Sequence, residues 1–148
     1  MQIIIIFFSL FIFLFQNAYS SEEYFRTLRN DKVNLRQGPS FDYPVKIFYN
    51  KKFLPVLIQD YSDNFRKIRD HENNTGWIHR SQLSKKKAAI VIDEELIMFS
   101  GSTIYSNPVA ILKKGRLVKI SKCNEDWCKV KSDGYKGWIK KESLWGLL

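Results

Sequence analysis

The chain has 148 residues, with 24 lysines and arginines against 15 aspartates and glutamates, a formal net charge of +9. That length admits one ordinary domain or two very small ones. A hydrophobic content of 45% with 26% charged residues excludes a disordered or fibrous chain.

The first element is a leader. Residues 1–20 contain no Lys, Arg, Asp or Glu, so the whole surplus of positive charge falls on residues 21–148. Ile3 to Phe15 is a 13-residue run broken only by Ser9, short of the ~18 apolar residues of a membrane span. Ala18-Tyr19-Ser20 then puts small residues where a signal peptidase needs them. This predicts a signal peptide, residues 1–20, cleaved after Ser20; the alternative is an uncleaved anchor. The first cysteine is Cys123, far from that site, which argues against a lipoprotein. The expected location is the periplasm or the exterior, with no transmembrane span in the mature protein.

The chain beyond the leader is predominantly β. Gly and aromatic residues punctuate short runs of alternating hydrophobicity, and no long stretch keeps a helical period. Leu54-Pro55-Val56-Leu57-Ile58 and Phe65-Arg66-Lys67-Ile68-Arg69 predict strands around the polar turn Asp60 to Asn64. Ala88 to Ile92 follows three lysines and is too short and apolar for a floppy linker, so Ile90 to Ile92 is expected to add a strand and pack two units together. Leu117-Val118-Lys119-Ile120 and Trp127-Cys128-Lys129-Val130-Lys131 predict a further hairpin around Asn124-Glu125-Asp126.

Those two hairpins are copies of each other. Phe65, Ile68, Gly76-Trp77-Ile78 and Leu83 match Trp127, Val130, Gly137-Trp138-Ile139 and Leu144, and Trp to Leu is six residues in both. The division expected is 21–84 and 85–148, each near the size at which one core is marginal. Five short strands closed on themselves would remove most exposed edges.

Cys123 and Cys128, in C-N-E-D-W-C, offer too few ligands for zinc and the wrong spacing for a C-x-x-C redox pair. In an oxidising compartment the expectation is a disulfide, whose six-residue loop is worth about 2 kcal/mol. Tyr61 and Arg66 stand at the matching positions of the first copy and are expected to close that hairpin by stacking.

Val33-Asn34-Leu35-Arg36-Gln37-Gly38-Pro39-Ser40, Pro44-Val45 and Gly76-Trp77-Ile78 resemble the opening and closing motifs of bacterial SH3-like (SH3b) domains. Cys123, Trp127-Cys128-Lys129-Val130, the second Gly-Trp-Ile and Ser143-Leu144-Trp145-Gly146 resemble the tandem SH3-like proteins exported by alphaproteobacteria. The resemblance covers about residues 30–147 and implies an all-β chain of two tandem SH3-like small β-barrels after an N-terminal signal peptide. It also implies a place in the cell envelope, beside cell-wall enzymes or alone. In the second copy the opening motif is degraded to Thr103-Ile104-Tyr105-Ser106-Asn107-Pro108, which puts an equivalent ligand site there in doubt.

Catalysis is not expected. In cell-wall and papain-type cysteine peptidases the His base lies downstream of the nucleophile, whereas His71 and His79 both precede the cysteines, and a disulfide has no thiolate. Two isolated histidines do not make a metal site, so no metal or cofactor is expected. The glycine of each Gly-Trp-Ile is read as allowing a tight turn into the last strand. Its tryptophan either covers the end of a small core or stacks on a ligand.

The ligand-binding candidates are Arg36, Phe41, Tyr43 and Trp77. The first three sit in a polar, Pro-flanked loop, where aromatics are hard to absorb into a small core. Arg36 either pairs a carboxylate or hydrogen-bonds its own loop. The lysines and arginines spread over both copies suit envelope polyanions; nucleic acid is not an expected partner of an exported protein. The functional expectation is a non-catalytic envelope module recognising peptidoglycan or an associated anionic polymer. The alternative is a periplasmic adaptor that binds a peptide or an envelope enzyme in a groove between the barrels.

Overall fold

The computed structural model describes residues 21–147; the predicted signal peptide lies outside them. The chain forms two seven-stranded antiparallel sheets of the same topology. The first contains β1 (Tyr24–Leu28), β2 (Val33–Arg36), β3 (Val45–Tyr49), β4 (Pro55–Ser62), β5 (Phe65–Arg69), β6 (Thr75–His79) and β7 (Leu83–Ser84). Their order is β3-β2-β6-β5-β4-β1-β7. The second contains β8 (Ala88–Val91), β9 (Glu95–Phe99), β10 (Pro108–Lys113), β11 (Leu117–Cys123), β12 (Trp127–Ser132), β13 (Tyr135–Lys140) and β14 (Leu144–Trp145), in the order β10-β9-β13-β12-β11-β8-β14. A single 3₁₀ turn precedes the last strand of each, Arg80–Gln82 and Lys141–Ser143.

The expected hairpins are present, longer on their first strands than the alternation alone indicates: β4 runs to Ser62 and β11 to Cys123. The expectation of five closed strands is corrected to seven, and among the described residues no ladder joins β3 to β7 or β10 to β14. Each sheet therefore keeps two edges. The two-residue strands β7 and β14 are too short to template another chain.

Strand alternation builds two cores. Leu28, Val33, Leu35, Val56, Ile68 and Ile78 lead the first; Val91, Met98, Val118, Cys128, Val130 and Ile139 lead the second. The glycine reading needs correction here, and so does the tryptophan reading in which the ring covers the end of a core. Ile78 and Ile139 are fully buried, whereas Trp77 and Trp138, one step earlier on the same strands, are half-buried on the outer face. Gly76 and Gly137 sit within strands, not at turns. A Cβ at Gly76 would stand 2.7 Å from the carbonyl oxygen of Arg36, and one at Gly137 would stand 2.5 Å from that of Phe99. The glycines let β6 and β13 cross their neighbours at close range.

β8 joins the two units. It pairs with β11 and β14 in the second sheet, and Ala89 and Val91 enter the second core. Ile90, between them, points the other way and belongs to the first core. Around this strand the Phe25 and Trp145 rings meet edge-on at 4.9 Å, and Thr27 Oγ1 donates to the Lys86 carbonyl at 2.8 Å.

A buried polar knot closes the turn before β6. Asp70 is 1% exposed; it accepts from the Tyr49 hydroxyl at 2.8 Å, from the backbone N–H groups of Glu72 and Asn74, and from Asn74 Nδ2. This occupies Asn74 structurally. Burial pushes the Tyr49 hydroxyl far above its ordinary range, and the Asp70 hydrogen bond and the Asp70 and Glu72 charges add to it. The folded state thus keeps this proton where the unfolded chain releases it. Its contribution is complete below pH ~10 and lost as pH rises further. Denaturant titrations at pH 9 and pH 11 should show a smaller alkaline loss in Tyr49→Phe than in the wild type; equal losses would refute this assignment.

Candidate functional site

The second copy holds an open groove of about 700 Å³. One wall is Ser102 to Ile104, from the loop between β9 and β10; the other is Glu125 to Trp127, the turn of the β11–β12 hairpin. Lys140, Lys141 and Glu142, at the 3₁₀ turn, close one end.

Each wall is fixed locally. Cys123 and Cys128 are cross-strand partners joined by a disulfide, so the expected bond is present. Between them Asn124 Oδ1 accepts from the N–H groups of Asp126 (3.1 Å) and Trp127 (2.7 Å), and the Asn124 N–H donates to the Trp127 carbonyl at 2.8 Å. This is the side-chain turn that Asn favours. The Lys141 N–H donates to the Asp126 carbonyl at 2.8 Å, tying the turn to the 3₁₀ segment. Trp127 packs edge-on against Phe99 at 5.8 Å and stays half-buried. In the opposite wall Ser106 Oγ accepts from the Gly101 N–H and lies 2.7 Å from the Thr103 carbonyl, which holds the loop in shape. The rim carries both signs of charge: Glu125, Asp126 and Glu142 beside Lys140 and Lys141, with Lys140 Nζ 3.8 Å from Glu142.

The same place in the first copy is filled. Phe41 lies on Phe65 (5.2 Å) and His79 (5.3 Å), the residues that match Trp127 and Lys140. The Arg80 N–H to Asn64 carbonyl bond, 2.8 Å, repeats the Lys141–Asp126 tie. Arg36 Nη1 donates to the carbonyls of Phe41 (3.1 Å) and Tyr43 (2.9 Å), and the guanidinium centre sits 5.4 Å from the Phe41 ring. The Tyr43 ring covers Gly38, where any Cβ would be 2.5 Å from it. The loop is thus closed on itself, although Phe41 and Tyr43 remain 63% and 46% exposed. Trp77 lies between Arg36 and Lys67 in cross-strand register, apart from the Phe41 cluster. Of the four expected site residues, Phe41 and Tyr43 lie in the loop, Arg36 ends β2 and reaches over to bond that loop, and Trp77 stands on the sheet beside Arg36.

A family model described as "Bacterial SH3 domain" matches residues 29–85 and again residues 93–146. The chain belongs to the bacterial SH3 domain family. Solved structures that align with it include three proteins of the NlpC kind. NlpC2 from Trichomonas vaginalis matches with TM-score 0.39 and 16% identity over 84% of this chain and 48% of its own. NlpC1 from the same organism gives 0.38 and 17% over 86% and 46%. An NlpC/P60 family protein from Bacillus cereus ATCC 10987 gives 0.37 and 10% over 82% and 55%. The chain spans about half the length of these proteins. No curated protein matches it.

The two SH3 domains differ in what their long loop places over the hairpin turn. The first has a phenylalanine from its long loop lying over the hairpin turn; in the second that loop is lined with Ser102, Thr103 and Ile104 and leaves Trp127 accessible. The hairpin closures differ too: the Arg66 guanidinium centre lies 5.7 Å from the Tyr61 ring, the stacked pair expected opposite the second domain's disulfide. Replacing Cys123 and Cys128 together by alanine should cost about 2 kcal/mol by the loop-entropy estimate. Urea midpoints of the variant and wild type measure this, and unchanged midpoints would refute it.

Sequence reasoning missed the second groove because the degraded opening motif pointed away from it. The available signal was subtraction: position 127 is an aromatic in a polar turn whose partner loop lacks a large ring at the place of Phe41.

Proposed function

We propose that this protein is a non-catalytic, exported binding module of the cell envelope, and that it recognises the peptide portion of peptidoglycan through the groove of the second SH3 domain. One observation carries the reading: an open groove, rigid on both walls, with a half-buried Trp127 and charges of both signs on its rim. A peptide bearing free amines and carboxylates complements such a rim, and an aromatic wall supplies apolar contact at little entropic cost. A disulfide across the hairpin reduces the ordering that binding would otherwise require.

Co-sedimentation with purified sacculi tests this. The protein, expressed from the full chain, should pellet with sacculi at low salt, and Trp127→Ala should weaken pelleting at least tenfold. Arg36→Ala should act through the stability of its loop and leave pelleting of the folded fraction unchanged. Absence of pelleting at any salt would sink the proposal.

A second reading, a periplasmic adaptor, is favoured by a different observation. The outer face of β9 and β10 exposes Ile97, Val109 and Ile111, with Ile97 and Ile111 in direct register. The junction between the domains, where such a partner was expected to dock, is packed by Ile90, Phe25 and Trp145 and keeps a hollow of about 260 Å³ beside Phe25 and another of about 370 Å³ between Lys51 of the first domain and Arg116, Lys119 and Lys131 of the second. A discrete protein crosslinked through position 111, at high salt, would favour this reading over the wall.

A further inference from the structure

Away from both loops, the first domain carries a hollow of about 440 Å³ whose polar lining is almost wholly cationic: Arg26, Arg29, Arg66, Arg80 and Lys85. They arrive from separate elements: β1 and the residue after it, β5, the 3₁₀ turn and the segment beyond β7. No carboxylate lines this hollow, and none of the four ion pairs found among the described residues involves these side chains.

Three of the guanidiniums are tethered to backbone. Arg26 Nη1 donates to the Phe25 carbonyl at 2.9 Å, Arg29 Nε to the Leu83 carbonyl at 3.1 Å, and Arg66 Nη1 to the Asp63 and Phe65 carbonyls. Arg26 also lies over the Tyr24 ring at 4.4 Å. A guanidinium has five N–H donors, so each tether orients the plane and leaves donors for another group. Cations that line one hollow with no carboxylate in its lining repel one another, and an anion in the hollow removes that cost. Guanidiniums contributed to one hollow by several elements suit a tetrahedral phosphate, which offers oxygens in several directions; a planar carboxylate pairs with one fork at a time. A second hollow, which shares Tyr24, Arg26 and Lys85, continues the basic lining through Lys86 and Lys87 toward the second domain. The result is a track, not a single point.

We propose that this arginine-lined track of the first SH3 domain binds a phosphate-bearing linear polymer, at a site separate from the groove of the second domain. The proposal does not depend on the peptide reading of that groove.

The test uses inorganic polyphosphate as the probe and the protein expressed from the full chain. Affinity should fall steeply with salt, and Arg26→Gln with Arg80→Gln should weaken it at least tenfold and lower the log–log salt slope by about 2. The control, Lys129→Gln with Lys136→Gln, removes the same charge from exposed positions of the second domain and should change affinity less than twofold. Trp127→Ala should leave polyphosphate binding intact, which separates this site from the groove. Equal weakening by both double variants would mean diffuse charge and overturn the proposal, as would the absence of binding. Polyglutamate binding as tightly as polyphosphate would overturn the choice of phosphate. Tighter binding to anionic lipid vesicles than to polyphosphate would replace the polymer with a membrane surface and overturn it as well.

Discussion

Ile90→Ala is expected to lower the stability of the whole molecule by about 3 kcal/mol, in one transition, although the residue lies on a strand of the second sheet. Truncating a buried isoleucine removes its transfer free energy and leaves a cavity that the surroundings fill only in part. Ile90 is 2% exposed and sits in the core of the first SH3 domain, while its backbone pairs with Leu117 and Trp145 of the second. A cavity there weakens the first core and loosens the strand that anchors the second. The neighbouring Ile92, 44% exposed, is the internal control: Ile92→Ala should stay within ~0.5 kcal/mol of the wild type. Calorimetry combined with tryptophan fluorescence checks this, because Trp77 reports on the first domain, Trp127 and Trp138 on the second, and Trp145 on the junction. Two separable transitions in the wild type, or an Ile90→Ala cost below 1 kcal/mol, would contradict the coupling.

Gly137→Ala is the second large effect, at about 3 kcal/mol. The added Cβ would lie 2.5 Å from both Met98 Cγ and the Phe99 carbonyl oxygen. The methionine side chain can swing aside, but the carbonyl belongs to β9, whose Phe99 is in register with Trp138 of β13. Relief requires the two strands to separate, with the overpacking cost that such a shift brings to a dense core. The entropic gain of replacing glycine, about 0.4–1 kcal/mol, is too small to compensate. Gly76→Ala should behave alike in the first domain, since its Cβ would meet the Arg36 carbonyl and Leu35 Cγ at 2.7 Å. Urea titrations with an unchanged slope measure both effects; midpoints equal to the wild type would show that the strands can part freely.

The proposed binding sites differ in what they require of the fold. The groove uses a gap left where its loop carries no aromatic ring over the hairpin turn, so its selectivity depends on shape and on the disulfide-held turn. The arginine track uses charge gathered from four elements, so its affinity depends on salt. The +9 surplus is therefore not one uniform basic face: the groove rim has three carboxylates to two lysines, and the track has no carboxylate.

The sequence by itself determined the parts of this protein that local chemistry controls. Alternation over two to eight residues placed β5 and β12, the spacing of Gly-Trp-Ile and Leu established two copies of one unit, and two cysteines five positions apart across a polar turn made their own bond. The tertiary structure decided which side of a strand meets which neighbour. A period of two assigns Trp77 and Ile78 to opposite faces without saying which face is the core, and the unbroken apolar run of β8 conceals that its residues serve two cores in turn. It also decided where a cavity remains. Whether Phe41 covers Phe65 depends on a loop closing across 24 positions of chain, and whether five cations meet depends on strands that are neighbours only in the folded sheet. Such long-range closure is set by the balance of packing across the entire domain, which no short window of residues contains.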